Sequence, residues 1–318
     1  MNDLLKLIGE YGLVPAIALD DADTAVPVAK ALAAGGLPVA EITFRTAAAA
    51  ECIRRIAKDV PEIILGAGTV LTVEQAKKAV ECGAKYIVAP GFNPKVVEWC
   101  IDNNIPVMPG VSGTAEIEAA LEMGLTAVKF FPAEQMGGIA TLKAFAGPYA
   151  QMKFLPTGGV SEKNIADYLA LPNVLACGGS FIIDKAAIKE GNYARITELT
   201  KNAVKAILGY QIAHVGIYTK DDVQTESIKA FLSMAFGLPR TKGFVGTEFE
   251  IMSPYLAEKG HVAIATNSTE RGVRYMTDKG IKFNPDGMKY NDKGKLNAAY
   301  LDIDLNGFTL HLLQKKFN

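Results

Sequence analysis

An alternation of short apolar runs with amphipathic stretches fills the first 207 residues. The eight runs are rich in β-branched residues and recur roughly every 22 residues, a spacing typical of parallel strand–helix units. Because parallel strands need crossover helices, this pattern predicts an α/β chain, and eight units are enough to close a (β/α)8 TIM barrel. The alternative is a flavodoxin-like open sheet, which normally uses five or six strands. The runs span 13–19, 39–44, 63–69, 85–90, 105–111, 127–132, 153–159 and 174–180.

The pattern changes after residue 207 and predicts a second domain. Strands are predicted at 211–219, 245–252 and 260–267, with amphipathic helices at 226–236 and 269–280. A closing hairpin is predicted around the DLNG turn at 304–307, and the basic, turn-rich stretch 275–295 is predicted to be a solvated loop. We therefore assign 1–207 to the barrel and 208–318 to a smaller α+β domain that repeats strand–helix–strands twice.

Charge, apolar segments and cysteine content bear on the expected partners and location of the protein. The formal net charge is −1, which gives no reason to expect a nucleic-acid or membrane partner. The first residues lack the features of a signal peptide, and no segment has the length and apolarity of a membrane span. Cys52, Cys82, Cys100 and Cys177 form no C-x-x-C pair and are predicted to be reduced, buried thiols. We expect a cytoplasmic protein that acts on a small molecule.

A lysine inside a predicted buried strand is the strongest indication of chemistry. If Val128 and Phe130 face the helices, strand alternation turns Lys129 into the barrel, and the same parity turns Glu41 and Arg45 inward. A structural ion pair between Lys129 and Glu41 is one interpretation. The other is catalytic, because burial beside a second cation favours a neutral amine, which is a nucleophile towards ketones. The glycine-rich strand ends nearby favour the catalytic interpretation.

Two glycine-rich loops follow the last two predicted strands. The segments PTGG and CGGS occupy 156–159 and 177–180. Glycines let backbone N–H groups approach an anion closely, and barrels commonly bind phosphate after strands seven and eight. The loops therefore predict a phosphate site.

The motifs EITFRT, GAGTV, APGFNP, KFFPAE, PTGGV and GGS resemble, in order and spacing, those of the 2-dehydro-3-deoxy-phosphogluconate (KDPG) and 4-hydroxy-2-oxoglutarate (KHG) aldolase family, from about residue 5 to residue 205. The resemblance implies a cofactor-free Schiff-base aldolase, commonly trimeric. It would cleave KDPG to pyruvate and glyceraldehyde 3-phosphate, or 4-hydroxy-2-oxoglutarate to pyruvate and glyoxylate. The implied catalytic residues are Lys129, which forms the imine, and Glu41, the general acid and base.

The same resemblance implies a set of binding residues. Arg45 and Thr69 would hold the substrate carboxylate, Pro90 and Phe131 would line the pocket, and Thr157 would contact the substrate. The implied phosphate ligands are Gly158, Gly159, Gly179 and Ser180. A phosphate-binding isomerase or epimerase without an imine, and a non-catalytic sugar-phosphate sensor, are the alternatives on the same barrel.

Residues 210–318 resemble the vicinal oxygen chelate family, which includes glyoxalases. The segments that carry the resemblance are AHVGIYT, GHVAIATN and DLNGFTLHLLQ. The family implies paired βαβββ units and a divalent metal, here held by His214, Glu250, His261 and His311, with His311 replacing the family's usual glutamate. The chain's 3 histidines all fall in this domain. Ordinary hydrogen-bonded histidines in a degenerate packing or regulatory domain are the alternative.

Overall fold

The computed structural model of the chain describes residues 1–315, so positions 316–318 of the predicted second domain lie outside the described residues. The chain divides into two compact units, Met1–Ile207 and one that begins at Leu208. Within the described chain no helix combines the length and apolarity needed to cross a bilayer.

The first unit alternates parallel strands with helices. Its strands are β1 Leu13–Ile17, β2 Val39–Thr43, β3 Ile64–Gly68, β4 Tyr86–Val88, β5 Val107–Met108, β6 Gly110–Val111, β7 Ala127–Phe130, β8 Lys153–Pro156 and β9 Cys177–Gly179. Its helices are α1 Asp3–Tyr11, α2 Ala25–Ala34, α3 Ala49–Asp59, α4 Val73–Glu81, α5 Pro94–Asp102, α6 Thr114–Glu122, α7 Gly138–Phe145, α8 Ile165–Leu169, α9 Lys185–Lys189 and α10 Tyr193–Leu208. This arrangement is an α/β fold built on a curled parallel sheet.

The strands pair in two groups that the chain itself connects. One sheet has the order β5-β4-β3-β2-β1-β9, and the other has the order β6-β7-β8. Only Pro109 separates β5 from β6; it has no N–H to donate, but its carbonyl accepts from the Lys129 N–H at 2.9 Å. An isolated parallel bridge joins Phe154 of β8 to Val174, just before β9, and another joins Thr157, just after β8, to Gly178 of β9. The sheet therefore curls back towards its first strand.

The predicted alternation along strand 127–132 is confirmed. Phe130 is fully buried and meets Phe145 of α7 edge to face at a centroid separation of 6.0 Å. Phe154 of β8 stacks on the same Phe145 ring at 5.8 Å. Because adjacent strand residues face opposite ways, Lys129 lies on the other face, inside the curl of the sheet. The four cysteines are free and buried, as predicted.

The second unit forms one seven-stranded mixed sheet. Its elements are β10 Gln211–Tyr218, α11 Asp222–Phe236, β11 Phe244–Val245, β12 Phe249–Met252, β13 Gly260–Thr266, α12 Thr269–Thr277, β14 Phe283–Tyr290, β15 Leu296–Leu301 and β16 Phe308–Gln314. The strand order is β11-β12-β10-β13-β16-β15-β14. In the centre β10 and β13 pair antiparallel, and each has a parallel neighbour on its other side, β12 and β16 respectively. The two halves of the sheet therefore repeat one arrangement.

Four details of the second unit differ from the sequence predictions. The first half of the unit has the element order βαββ rather than βαβββ. The single strand predicted at 245–252 is a short hairpin, because Gly246 adopts a left-handed conformation (φ 64°) and turns the chain. Helix α11 begins at Asp222, since the Asp221 side chain accepts from the Gln224 N–H and caps it. The loop predicted at 275–295 was wrong, because much of it forms strand β14, which pairs antiparallel with β15 at the sheet edge.

The close packing of Gly66 in β3 against the Tyr86 ring predicts a stability effect. A Cβ at Gly66 would lie 2.3 Å from the buried Tyr86 ring, whose hydroxyl donates to the Ala40 carbonyl at 3.1 Å. We expect Gly66→Ala to lower the free energy of unfolding by about 1–3 kcal/mol, because the ring and two strands must shift. Urea titration measures the change. Gly147→Ala is the matched control, since nothing lies within 4 Å of the added methyl group. Equal stabilities of the two variants would contradict the prediction.

Candidate active site and candidate metal centre

Lys129 of β7 and Glu41 of β2 meet inside the curled sheet. Their side chains are 7% and 1% exposed, and Lys129 Nζ lies 3.8 Å from Glu41 Oε1. This separation is longer than a hydrogen bond. Neither carboxylate oxygen of Glu41 has a hydrogen-bond partner within residues 1–315. A buried carboxylate without hydrogen-bond partners is costly, so the pair is not a fully satisfied structural ion pair.

A glycine on the neighbouring strand makes room for the carboxylate. Thr43 of β2 is in register with Gly68 of β3, and a Cβ on Gly68 would lie 1.9 Å from Glu41 Oε1. Any larger residue would therefore displace the Glu41 side chain. The sequence analysis placed this glycine at a strand end but did not identify that it leaves space for the Glu41 carboxylate. The GAG motif was the available signal.

Arg45 lies at the exposed rim just beyond β2, not buried beside Lys129 as strand parity predicted. Its Nε donates to Thr43 Oγ1 at 3.2 Å, and the Thr43 hydroxyl donates to the Ile17 carbonyl at 3.0 Å. Strand β2 ends at Thr43, so strict alternation no longer fixes the direction of the Arg45 side chain. The guanidinium is thus anchored at the mouth of the site.

Three further predicted residues line this mouth. Thr69 follows β3 in a left-handed conformation (φ 53°), which a β-branched residue rarely adopts. The Phe131 ring centroid lies 5.4 Å from Lys129 Nζ. The carbonyl of Pro90 approaches Gly110 so closely that a Cβ there would lie 2.1 Å from the oxygen. The Phe131 ring therefore lies beside the amine, and the Pro90 carbonyl packs against the strand that pairs with β7.

The predicted phosphate loops lie after β8 and β9. Gly158 and Gly159 both have positive φ, 99° and 84°, which makes glycine the residue of choice at each position. A Cβ on Gly159 would also lie 2.2 Å from Glu134 Cγ. The carbonyl of Gly158 accepts from the Glu134 N–H at 3.0 Å, which ties this loop to the turn after β7.

The two glycine loops are also linked to each other. Thr157 is buried and forms a parallel bridge with Gly178, and a Cβ on Gly178 would lie 2.1 Å from Thr157 Oγ1. Gly179 ends β9, and Ser180 follows it with an exposed side chain. The structure therefore brings the PTGG and CGGS loops together at one edge of the sheet.

Four potential metal ligands meet in the second unit. His214, His261 and His311 each offer a ring nitrogen, and these atoms all lie within 4.8 Å of one another. The residues project from β10, β13 and β16, three adjacent strands, and Glu250 comes from β12 on the other side of β10. Gly216 permits the cluster, because a Cβ there would lie 2.0 Å from Cε1 of His261.

The polar atoms of this cluster crowd around one point. Glu250 Oε2 lies 3.2 Å from Nε2 of both His214 and His261, and those two nitrogens are 3.1 Å apart. Hydrogen bonding to His214 and His261 lowers the pKa of Glu250 to about 2. Burial lowers the pKa of His311 to about 4, and its Nε2 has no hydrogen-bond partner in the described chain.

This donor set fits a divalent transition metal. Three imidazoles and one carboxylate are ligands that zinc, iron, nickel and copper accept readily, whereas magnesium and calcium prefer oxygen ligands. The cluster is closed on most sides, because the histidines are buried and only Glu250 is partly exposed. The partnerless Nε2 of His311 is the atom that a bound cation would satisfy.

Comparison with known proteins concerns the first unit. The family described as KDPG and KHG aldolase matches residues 5–199. The 2-dehydro-3-deoxy-phosphogluconate aldolase of Haemophilus influenzae is 49% identical over 206 residues, which is 65% of this chain and 97% of that protein. The KHG/KDPG aldolase of Escherichia coli is 46% identical over 193 residues, 61% of this chain and 91% of the relative.

A solved structure shows the same likeness. The KDPG aldolase of Legionella pneumophila, captured with pyruvate as a covalent carbinolamine intermediate, superposes with a TM-score of 0.61 at 38% sequence identity. The match covers 63% of this chain and 97% of that one. The relatives are therefore matched over nearly their whole length.

Proposed function

This chain belongs to the KDPG and KHG aldolase family, and we propose that Lys129 and Glu41 carry out its chemistry. It is a class I aldolase, a carbon–carbon lyase that needs no cofactor for this reaction. It cleaves 2-dehydro-3-deoxy-6-phosphogluconate to pyruvate and glyceraldehyde 3-phosphate, or 4-hydroxy-2-oxoglutarate to pyruvate and glyoxylate. The observation that carries the residue assignment is the buried amine 3.8 Å from a buried carboxylate that has no hydrogen-bond partner within the described residues.

In the first half of the proposed mechanism, the neutral amine of Lys129 adds to the C2 ketone of the substrate and forms a carbinolamine. Loss of water then gives an iminium ion, which accepts electrons from the C3–C4 bond. Glu41 takes the C4 hydroxyl proton, directly or through a water molecule, as that bond breaks and the aldehyde leaves. The electron pair of the broken bond ends in an enamine on Lys129.

The second half returns the proton and frees the lysine. The protonated Glu41 gives a proton to C3 of the enamine, and water hydrolyses the resulting iminium to pyruvate and free Lys129. The carboxylate therefore acts as base and then as acid within one turnover. Its lack of fixed hydrogen bonds supports this role, because no hydrogen bond within the described residues occupies the carboxylate oxygens that must reach the substrate.

We assign the remaining residues by position around this centre. Arg45 and Thr69 hold the substrate carboxylate at the mouth, and Pro90, Phe131 and Thr157 form the pocket wall. The positive φ values of Gly158 and Gly159 support a phosphate site, because successive residues in such conformations can form an anion-binding concavity of backbone N–H groups. The proposed phosphate ligands are Gly158, Gly159, Gly179 and Ser180.

Borohydride trapping tests the role of Lys129. With pyruvate present, we expect borohydride to reduce an imine at Lys129 and inactivate the enzyme, and peptide mass spectrometry locates the added mass. Lys229 is an internal control, because its side chain is also 7% exposed, so labelling of Lys129 alone would show that the surroundings of the amine, rather than its burial, make it react. Lys129→Met should abolish both cleavage and trapping with the far-UV circular dichroism unchanged. Active enzyme that yields an unmodified Lys129 peptide would instead favour the imine-free isomerase chemistry.

Rate measurements test the role of Glu41. We expect Glu41→Gln to lower kcat by about 10²–10⁴-fold, since it removes the proton acceptor. Gly68→Ala should also lower kcat, because its methyl group displaces the same carboxylate. The control is Gly147→Ala, which adds a methyl group in open space and should leave kcat unchanged. A Glu41→Gln variant with the parent rate on both substrates would remove Glu41 from the mechanism.

We further propose that the nine strand segments of the first unit close into a (β/α)8 barrel. The parallel bridges between β8 and the segment before β9, together with the continuous chain through Pro109, support closure. Family membership supports a homotrimer, for which light scattering of the purified chain would give three times its 33.9 kDa mass. The free thiols support action in the cytoplasm, where cysteines stay reduced.

For the second unit we propose a vicinal oxygen chelate domain with a divalent metal held by His214, Glu250, His261 and His311. The repeated halves of the sheet and the convergence of the four side chains support this assignment. Such a metal would supply Lewis-acid chemistry towards an oxygen-bearing ligand. The partly exposed Glu250 carboxylate marks the side from which solvent or a ligand reaches the cluster.

Elemental analysis tests the metal centre. We expect untagged protein purified without chelator to carry close to one transition-metal ion per chain, and His214→Ala/His261→Ala to lose it because two ligands are missing. Aldolase activity should survive in this variant, since it uses no residue of the second unit. Lys229→Ala, a buried change elsewhere in the same unit, is the control and should keep its metal. Metal retained by the double variant would refute the assigned ligands.

A further inference from the structure

The hydroxyl group of Tyr218 determines which nitrogen of His261 faces the cluster. This hydroxyl donates its proton to the Tyr255 carbonyl at 2.6 Å. Its oxygen also lies 3.2 Å from Nδ1 of His261, where, with its proton already used, it can only accept. Nδ1 of His261 therefore carries a proton, and Nε2 is the nitrogen turned towards His214 and Glu250.

A backbone group does the same for His311. Nδ1 of this ring lies 3.2 Å from the Leu312 carbonyl, which can only accept a hydrogen bond. Its Nε2 is buried and has no hydrogen-bond partner among the described residues. Two of the three imidazoles are thus held through Nδ1–H, with Nε2 left for the centre of the cluster.

We propose that Tyr218 is a positioning residue for the metal centre: by accepting a hydrogen bond from Nδ1–H of His261 it holds the ring so that Nε2, which gives up its hydrogen bond to Glu250, serves as the ligand atom. The inference rests on the proposed metal site. A metal-bound imidazole depends on the partner of its other nitrogen for its tautomer and ring orientation. His261 is fully buried, so bulk water has no direct access to replace a lost acceptor.

The packing around His261 leaves this ring little freedom. Gly216 lies against one side, at a distance that excludes even a methyl group. The Tyr218 ring is itself buried, so its hydroxyl is held in place between the Tyr255 carbonyl and the imidazole. Rotation of the ring would separate Nδ1 from its acceptor and turn Nε2 away from Glu250.

Tyr300 provides a matched control for removing the Tyr218 hydroxyl. It is buried to the same degree as Tyr218 and stacks on His311 with a centroid distance of 4.4 Å and an interplanar angle of 21°. Its contact with the cluster is through the ring, which Tyr300→Phe retains. Tyr218→Phe also retains its ring but removes the acceptor of the His261 hydrogen bond.

Zinc affinity of the full, untagged chain is the first measurement. Competition with a chromophoric chelator should show that Tyr218→Phe binds Zn²⁺ about 10- to 100-fold more weakly than the parent. Tyr300→Phe should stay within about threefold of the parent. Equal affinities of the parent and Tyr218→Phe would overturn the positioning role. Failure of the parent to bind zinc would overturn the metal centre and this role together.

Nitrogen-15 spectra of the imidazoles are the second measurement. They distinguish failure of the Tyr218 role from failure of the metal centre. The chain has 3 histidines, all in the cluster, so histidine-labelled protein shows only these rings. We expect Nδ1 of His261 to be protonated in the metal-free chain, and only its Nε2 resonance to take on the shift of a coordinated nitrogen with Zn²⁺. In Tyr218→Phe the His261 ring should lose this single form, whereas His311 keeps it. An unprotonated Nδ1 in a parent that binds zinc would overturn the role of Tyr218 and leave the metal centre intact.

Discussion

The buried contact between Lys129 and Glu41 is the constraint on which the first unit depends. Placing an amine and a carboxylate inside a curled sheet is costly, and at 3.8 Å the pair makes no compensating hydrogen bond. Apolar packing of the surrounding elements offsets this cost, since Phe130, on the opposite face of the same strand, packs against Phe145 of α7. Burial of apolar side chains outside the curl thus offsets the cost of the buried polar pair within it.

Missing Cβ atoms shape the site as much as the side chains do. Gly68 leaves space for the Glu41 carboxylate, and Gly110 lets the Pro90 carbonyl approach the strand beside Lys129. Gly178 does the same for Thr157 where the PTGG and CGGS loops meet. The glycine-rich strand ends therefore allow close packing around the amine, and the positive φ values of Gly158 and Gly159 suit the phosphate site proposed above.

The second unit uses neighbouring strands of one sheet to gather its polar groups. Glu250, His214, His261 and His311 come from four strands that lie side by side, so the pairing register alone brings them together. The hydrogen bonds of His261 and His311 through Nδ1 leave both Nε2 atoms directed at one point. A catalytic unit that needs no metal is thus joined to a unit whose polar core is organised as a metal site would be.

The sequence by itself determined the alternation of strands and helices, the inward face of Lys129 and the placement of the histidines on strands. These features follow from the side-chain periodicity of helices and strands, which the sequence shows directly. Tertiary structure alone decided the 3.8 Å separation from Glu41, the exposure of Arg45, the strand at 283–290 and the hydrogen bond that orients His261. Those features depend on strand register and sheet curl, which bring together atoms that sequence spacing does not relate.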